Sequence, residues 1–271
     1  MVAGHGLSVC RACRAAGVSR VCYRYDAKPK DDSMIQRVLQ QLCRRFPRYG
    51  FTMLFRLIRR MKHLWNHKRV RRVYRELGLN LTQRRRRRLP AGVKQPLTVP
   101  EGPNESWSAD FMSDQLGGGR RFRTFNVMDD FNRQVLAVEI DTSLSSGRVV
   151  RSLDQLKLTH GLPKRLRVDN GPEFRSGRFT DWARAHGVEV AYIQPGKPTQ
   201  NALIERLNGT YRREVLDCYT FEDLDDVRRI TEDWMHIYNT IRPHQALNGI
   251  SPRAYAQQKT QRKTLLNTGN N

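Results

Sequence analysis

The sequence predicts an α/β fold, a mixed five-stranded sheet with flanking helices, preceded by a small all-α domain of helix-turn-helix type. Three observations predict this architecture. From residue 105, apolar and polar residues alternate in three runs separated by short turns, as in an antiparallel meander. Later apolar runs alternate with helical patterns, which is typical of parallel strands. Before residue 105, apolar residues recur every three or four positions, the period of a helix.

The N-terminal part divides into two helical units, at 1–27 and 31–82. In the first unit, a helix, a turn at Gly17 and a second helix capped by Ser19 have the outline of a helix-turn-helix. Cys10 and Cys13 are spaced like zinc ligands, but residues three apart share one face of a helix. We therefore favour two thiols packed inward over a zinc site.

The second helical unit ends in a strongly basic helix. Asn66 is a suitable N-cap and Gly78 a suitable stop, with the apolar residues between them on one side. The polar side either contacts DNA or is an ordinary solvated face, and the charge of the whole chain favours DNA. The residues expected to contact DNA here are Lys68, Arg69 and Arg72.

The charge of the chain indicates a polyanionic partner. Its 271 residues include 49 Lys and Arg against 26 Asp and Glu, a net charge of +23. Double-stranded DNA is the partner that this balance favours. No apolar run approaches the roughly 18 residues of a membrane span, and the N-terminus lacks the pattern of a secretory signal. We expect a cytoplasmic, nucleoid-associated protein with no membrane partner.

Two segments have compositions that do not form a core. Residues 83–104 contain five consecutive arginines followed by prolines, and we predict a basic linker in which Arg84, Arg85 and Arg86 follow phosphates. Residues 258–271 are predicted to be a disordered tail after a catalytic core at 105–257. A long amphipathic helix near the end of that core is expected to pack against the sheet or a partner.

Three acidic residues have positions that suggest a metal site. The order βββαβαβ allows strand four to lie parallel beside strand one, which brings Asp110 next to Asp169. Glu205 lies in the first turn of the following helix, after a candidate N-cap at Asn201, and points away from the helix's apolar side. Hard oxygen ligands in this number select Mg²⁺ or Mn²⁺, and two such ions catalyse in-line phosphoryl displacement.

Several motifs resemble a known family. Asp169 and Glu205 are separated by 35 residues (205 − 169 − 1), the spacing of the D,D(35)E core of retroviral integrases and insertion-sequence transposases. The resemblance is closest to the second-frame (OrfB) product of insertion sequences. It extends over most of the chain, through Arg48-Tyr49-Gly50, Trp65-Asn66-His67-Lys68-Arg69-Val70, Trp107 to Asp114, Met128 to Arg133, Val168 to Phe174, Ile193 to Pro198, Glu205 to Gly209 and Tyr238 to His244.

The resemblance implies an RNase H-like core and a DNA transposase that cleaves and joins strands with two divalent ions held by Asp110, Asp169 and Glu205. It also implies a first-frame partner protein and a homo-oligomer on DNA. The alternative is a catalytically silent DNA-binding regulator or partner subunit of the same system. Asp130 and Asp129 form a second acidic pair, but Asp130 begins a hairpin turn.

Further DNA contacts are expected around the three acids. They come from the turn after strand four, from the loop before the next helix and from that helix itself, where the same residues could simply solubilise the surface. The residues are Asn170, Lys197, Gln200, Arg206 and Arg212.

Overall fold

The computed structural model describes residues 2–26, 31–81, 100–194 and 198–268. Arg84, Arg85, Arg86 and Lys197, which we expect to contact DNA, lie outside these ranges. Six helices precede the sheet: α1 (Val2–His5), α2 (Val9–Ala15), α3 (Arg20–Tyr23), α4 (Ser33–Arg45), α5 (Phe51–Arg60) and α6 (His67–Glu76).

Helices α4 to α6 share one apolar core because each presents residues at helical spacing to the others. The predicted boundaries of α6 are confirmed. The side chain of Asn66 accepts a hydrogen bond from Lys68 N at 2.8 Å, and Gly78 has a left-handed φ of 64° that glycine adopts without strain. Ser19 likewise caps α3, accepting from Cys22 N at 3.1 Å.

The structure differs from one expectation about the first helices. Cys13 is buried on α2, but Cys10 is exposed, so the two thiols do not pack inward together. The reason is that α2 has only seven residues and buries a narrow strip, Ala12 and Cys13. Positions three apart on so short a helix need not both reach the covered side.

The five strands are β1 (Ser106–Gln115), β2 (Arg121–Asp129), β3 (Val135–Asp141), β4 (Arg165–Val168) and β5 (Glu189–Tyr192). They form one sheet in the order β3-β2-β1-β4-β5. The first three strands are antiparallel neighbours, while β4 pairs parallel with β1 and β5 parallel with β4. The predicted mixed sheet and its RNase H-like fold are confirmed.

Helices cover both faces of the sheet. The helices of the core are α7 (Ser146–His160), α8 (Pro172–Arg175), α9 (Gly177–Ala185), α10 (Ala202–Tyr211), α11 (Leu224–Thr240) and α12 (Pro252–Thr268). One apolar cluster joins the sheet to α7, α8 and α9, and a second joins it to α10 and α11. A 3₁₀ turn (Pro198–Asn201) precedes α10, and a π-helical turn (Arg212–Leu216) follows it.

The C-terminal segment differs from the prediction. Helix α12 extends to Thr268, so residues 258–268 are helical where the composition predicts a disordered tail. The weak apolar pattern there misled the prediction, because the helix is a continuation of residues 252–257 and starts at the buried Pro252, directly after the buried Ser251. None of the described helices combines the length and apolarity needed to cross a bilayer.

Helix α11 packs on two partners. Val227, Trp234 and Tyr238 belong to the sheet cluster, whereas Ile237 and Ile241 pack against the core of α4 to α6. Arg60 of α5 strengthens this contact by donating to the carbonyl of Ile241 at 2.7 Å. The expectation that this amphipathic helix packs against the sheet is confirmed, and it also holds the helical domain.

After α11, the chain turns back at His244, which packs against this helix. Its backbone N–H donates to Ile250 O at 3.0 Å, and its ring lies edge-on to Tyr238, with centroids 4.7 Å apart. Burial, together with the positive charge of Arg242, lowers the pKa of His244 to about 3. The folded state therefore holds this ring neutral.

This depressed pKa predicts a loss of stability in acid. Below the ordinary histidine pKa of 6.5, His244 is protonated in the unfolded chain but stays neutral in the folded protein. Protonation therefore favours the unfolded state, so the full unfolding free energy is present above pH 6.5 and falls as the pH decreases towards 3. Relative to His244→Gln, the wild type should lose up to about 2 kcal/mol of unfolding free energy between pH 7 and pH 5. Urea denaturation in phosphate-free buffer measures this. Parallel pH profiles for the two proteins would contradict it.

Candidate active site

The alternation of β1 separates its apolar and polar side chains onto two faces. Trp107 and Ala109 are buried in the cluster with α7 and α9. Ser106, Ser108 and Asp110 therefore face the opposite side, towards α10. Most of this polar row is buried, but Asp110 lies near the middle of the strand and is partly accessible.

The register of β1 and β4 brings two aspartates together. Ser108 pairs with Arg167 in the parallel ladder, so two residues further along, Asp110 is level with Asp169. Asp169 is the first residue after β4, and its Oδ1 accepts a hydrogen bond from Gly171 N at 3.0 Å. A side chain at Gly171 would place its Cβ 3.0 Å from that oxygen, so the close turn favours glycine.

Helix α10 carries the third acid on the same side of the sheet. Ile204, Leu207 and Tyr211 are buried against the sheet, which leaves Glu205 exposed in the first turn of the helix. Asn201 is at the N-cap position as predicted, but its side chain makes no capping hydrogen bond. The carboxylate of Glu205 is favoured at this helix end by the dipole.

The electrostatics of Asp110 connect the three acids. The pKa of Asp110 is raised to about 6, first by burial and then by the negative charges of Asp169 and Glu205, against hydrogen bonds from Phe111 N and Asn208 that lower it. In the described part of the chain, no Lys, Arg or His forms an ion pair with any of the three. Among the residues that the structure describes, no cation is thus paired with these negative charges.

The three acids do not converge tightly enough to form a ready metal cage. Among residues 2–26, 31–81, 100–194 and 198–268, no group of three His, Cys, Asp or Glu side chains is close enough to hold a metal ion. The donor set nevertheless fits hard divalent cations, since carboxylate oxygens without a cationic partner are the ligands that these ions prefer.

Two asparagines complete the site and were not predicted. Asn208 donates to Asp110 Oδ2 at 2.8 Å, and its own Oδ1 accepts from Asn126 of β2 at 2.7 Å. Asn208 follows Glu205 by three positions on α10, so the two share a helix face. Asn126 is opposite Asp110 in the β1–β2 ladder. The position of Asn208 three residues after Glu205 could have indicated its role in the site, because a polar residue at a core-facing position needs a hydrogen-bond partner.

Asp130 has a different role from the three acids. It is 1% exposed, and its carboxylate accepts from Ser106 Oγ at 2.8 Å, Ser108 Oγ at 2.6 Å and Arg167 Nη1 at 3.0 Å. Asp130 is therefore fully paired inside the sheet and links β1 to β4. This supports Asp110 over Asp130 as the first acid of the site.

The residues expected to contact DNA are placed unevenly. Lys68 and Arg206 are exposed, and Asn170 is exposed but donates to Ile193 O at 2.8 Å. Arg69 and Arg72 pair with Asp32 at the start of α4. The remaining two hold loops and strands of the core: Gln200 accepts from Gln194 N at 2.9 Å, and Arg212 pairs with Asp114 at 2.6 Å.

Three family models match the chain. Two integrase core domain models match residues 100–198 and 186–252, and an HTH-like domain model matches residues 29–88. The 31.7 kDa protein of insertion element IS407 of Burkholderia multivorans is 41% identical over 91% of this chain and 89% of its own length. This chain belongs to the insertion-sequence transposases. The alternative, a silent regulator, receives no support.

The chain also has more distant similarities. A protein of Escherichia coli strain K12, named as a candidate transposase, InsK, of insertion sequence element IS150, is 24% identical over 90% of this chain and 92% of its own length. A solved structure of the HTLV-2 integrase catalytic core domain in complex with magnesium is 19% identical, with a TM-score of 0.47, over 58% of this chain and 98% of that one.

The pairing of Asp130 predicts a large loss of stability for Asp130→Asn. The substitution leaves the guanidinium of Arg167, whose side chain is 10% exposed, without its anionic partner inside the fold. We expect the unfolding free energy to fall by about 3–5 kcal/mol, measured by urea denaturation. Asp181→Asn is the matched control, because Asp181 is 70% exposed and should change stability by less than about 0.5 kcal/mol. Equal effects of the two substitutions would refute this role.

In contrast to Asp130→Asn, the substitution Asp110→Asn should raise the unfolding free energy of the metal-free protein. Because the folded pKa of Asp110 is raised from 3.8 to about 6, its ionisation costs stability as the pH rises through that interval. In metal-free buffer near pH 7.5, the variant should be more stable than the wild type by roughly 1–3 kcal/mol. Thermal denaturation should show the gain shrinking towards pH 4.5. A less stable variant at neutral pH would disprove the destabilising role.

Proposed function

We propose that this transposase cleaves DNA at the ends of a bacterial insertion sequence and transfers the cut strand to a second DNA, using Asp110, Asp169 and Glu205 as its catalytic acids. The observation that carries this proposal is that the three acids have no ion-pair partner among the described residues of a protein with a net charge of +23. Besides burial, the charges of Asp169 and Glu205 raise the pKa of Asp110. A protein that only binds DNA would gain nothing from maintaining this repulsion.

The proposed cofactor is Mg²⁺ or Mn²⁺, as two ions held by Asp110, Asp169 and Glu205. The raised pKa of Asp110 supports this cofactor, because a divalent cation between the carboxylates would offset both the burial of the Asp110 charge and the repulsion from Asp169 and Glu205. When bound, such ions polarise the phosphodiester and stabilise the attacking and leaving oxygens of an in-line displacement.

The chain's own side chains orient the first acid. The amide of Asn208 fixes Asp110 Oδ2, and Asn126 in turn fixes the amide of Asn208, so the orientation of the carboxylate is set from α10 and β2 together. Such support behind a metal ligand keeps it in one rotamer. In the proposed reaction, water first displaces the 3′ oxygen at the element end. The freed 3′ hydroxyl then attacks a target phosphodiester, releasing another 3′ hydroxyl.

The proposed partners are double-stranded DNA at the element ends and the target, a first-frame transposase protein, and further copies of this chain on the DNA. The net charge of +23 supports the DNA partner. Its working location would be the nucleoid. Among the described residues that we expect to contact DNA, Lys68 and Arg206 are exposed and form no ion pair.

The proposal predicts that Asp110→Asn, Asp169→Asn and Glu205→Gln each reduce cleavage and joining of element-end DNA by at least about 100-fold, the order of loss when one charge-stabilising group is removed. Gel assays with labelled element ends and Mg²⁺ measure both steps, and chelation by EDTA should abolish them in the wild type. Affinity for the same DNA, measured in EDTA, should not fall.

The matched control is Asp181→Asn, which removes a carboxylate from α9 on the other face of the sheet. It should leave cleavage and joining unchanged. Joining that persists in any of the three active-site variants would overturn the assignment of that residue. Cleavage without joined products in the wild type would instead indicate a nuclease.

A further inference from the structure

A cavity of about 460 Å³ lies between the helical domain and the catalytic core. Its walls come from α5, from α10, from the turn between β2 and β3, and from the segment after α11. Four arginines line it, one from each wall, and none of the described lining residues is acidic: Arg56, Arg133, Arg206 and Arg242.

Only one of these arginines has its charge neutralised. Arg242 forms a buried ion pair with Glu214. Within the part of the chain that the structure describes, no ion pair engages Arg56, Arg133 or Arg206. Three guanidinium groups from separate elements thus line one cavity without an ion-pair partner, an arrangement that repulsion opposes.

The buried polar atoms at this cavity are also unsatisfied. Arg133 Nη1 and His244 Nε2 are both inaccessible to solvent, and neither has a hydrogen-bond partner. An unpaired buried donor costs about 1–3 kcal/mol, more for a charged group. Burial lowers the pKa of Arg133, and the charge of Arg206 lowers it further while Asp130 raises it. The guanidinium remains charged and lacks an acceptor.

Two backbone features hold the arginines in this arrangement. Arg133 has a φ of 63°, a left-handed conformation that is uncommon for arginine and is enforced by hydrogen bonds of the turn, including Arg133 N to Asp129 O at 2.9 Å. Gly249 lies against Arg56, where a Cβ would be only 2.8 Å from Arg56 Nε. The loop after α11 therefore lies against the Arg56 side chain at a position where both this close approach and a left-handed φ of 82° favour glycine.

We propose that this cavity is a binding site for a backbone phosphate of DNA, held between α5 of the helical domain and α10 of the core. A phosphodiester supplies the oxygen acceptors that planar guanidinium groups bind best. DNA is favoured over a free anion because Arg206, which lines the cavity, directly follows Glu205 on α10 and both residues are exposed, so the cavity borders the helix that carries a proposed catalytic acid. This inference rests on the proposed function.

The test measures binding of a short DNA duplex by the full-length protein, by fluorescence anisotropy in EDTA over a series of salt concentrations. The variants are Arg56→Gln and Arg133→Asn, since asparagine tolerates the left-handed backbone of position 133. Arg184→Gln is the matched control, because it removes one positive charge from an arginine that is 80% exposed on α9. Circular dichroism and thermal denaturation establish that each variant is folded, and Arg56→Gln tests the site if Arg133→Asn does not fold.

We expect each cavity variant to bind the duplex about tenfold more weakly and to reduce the slope of log K against log salt by about one, as for the loss of one phosphate contact. Arg184→Gln should match the wild type. Cavity variants that keep wild-type affinity and slope, or a control that loses as much as they do, would overturn the inference.

Inorganic phosphate separates the two sources of the same anion. The melting temperature is measured in phosphate and in chloride at equal ionic strength. If phosphate raises it for the wild type but not for Arg56→Gln, and the cavity variants bind DNA as the wild type does, the site binds a free anion and the DNA assignment is wrong. Failure of the wild type to bind DNA at all would instead count against the proposed function. Loss of joining by the three acid variants with unaltered binding by cavity variants would overturn this inference alone.

Discussion

The parallel pairing of β1 and β4 is the constraint on which the rest of the core depends. Because side chains alternate along a strand, this register puts Asp110 and Asp169 on the face covered by α10. The same face holds Arg167, which with Asp130 fastens the two strands together. A slip of one residue would turn Asp110 into the apolar cluster with α7 and α9 and Trp107 towards the polar face under α10. The buried ion pair and the candidate active site are therefore two consequences of one register.

Acidic residues in this protein differ in their ion pairing according to where they lie. The acids that serve the fold are paired: Asp130 with Arg167, and Asp114 with Arg212. Among the described residues, the acids of the candidate site have no ion-pair partner, although the chain carries 49 lysines and arginines. The raised pKa of Asp110 expresses the resulting cost. Functional sites commonly retain such destabilising charge, because neutralising it within the fold would remove the ability to bind an external ion.

Much of this arrangement follows from local rules that a single sequence reveals. Alternation defines β1, the turn after β4 limits where Asp169 can lie, and the apolar side of α10 fixes the direction of Glu205. What could not be predicted depends on contacts between distant segments. Asn208 and Asp110 are 98 positions apart, and nothing local marks them as partners. The exposure of Cys10 and the helix at 258–268 were mispredicted because short or weakly patterned segments leave periodicity ambiguous.

The packing of α11 connects the cavity to the docking of the helical domain on the core. With Trp234 directed to the sheet and Ile241 to the helical domain, this helix fixes the two parts of the chain at a seam where Arg56 and Arg206 approach from opposite sides. The apolar contacts draw the parts together, while the unpaired guanidinium groups at the seam oppose that approach. An anion bound between them removes the opposition, and whatever binds the docked arrangement preferentially must also stabilise it. Docking of the helical domain and binding of phosphate at this seam are therefore thermodynamically linked.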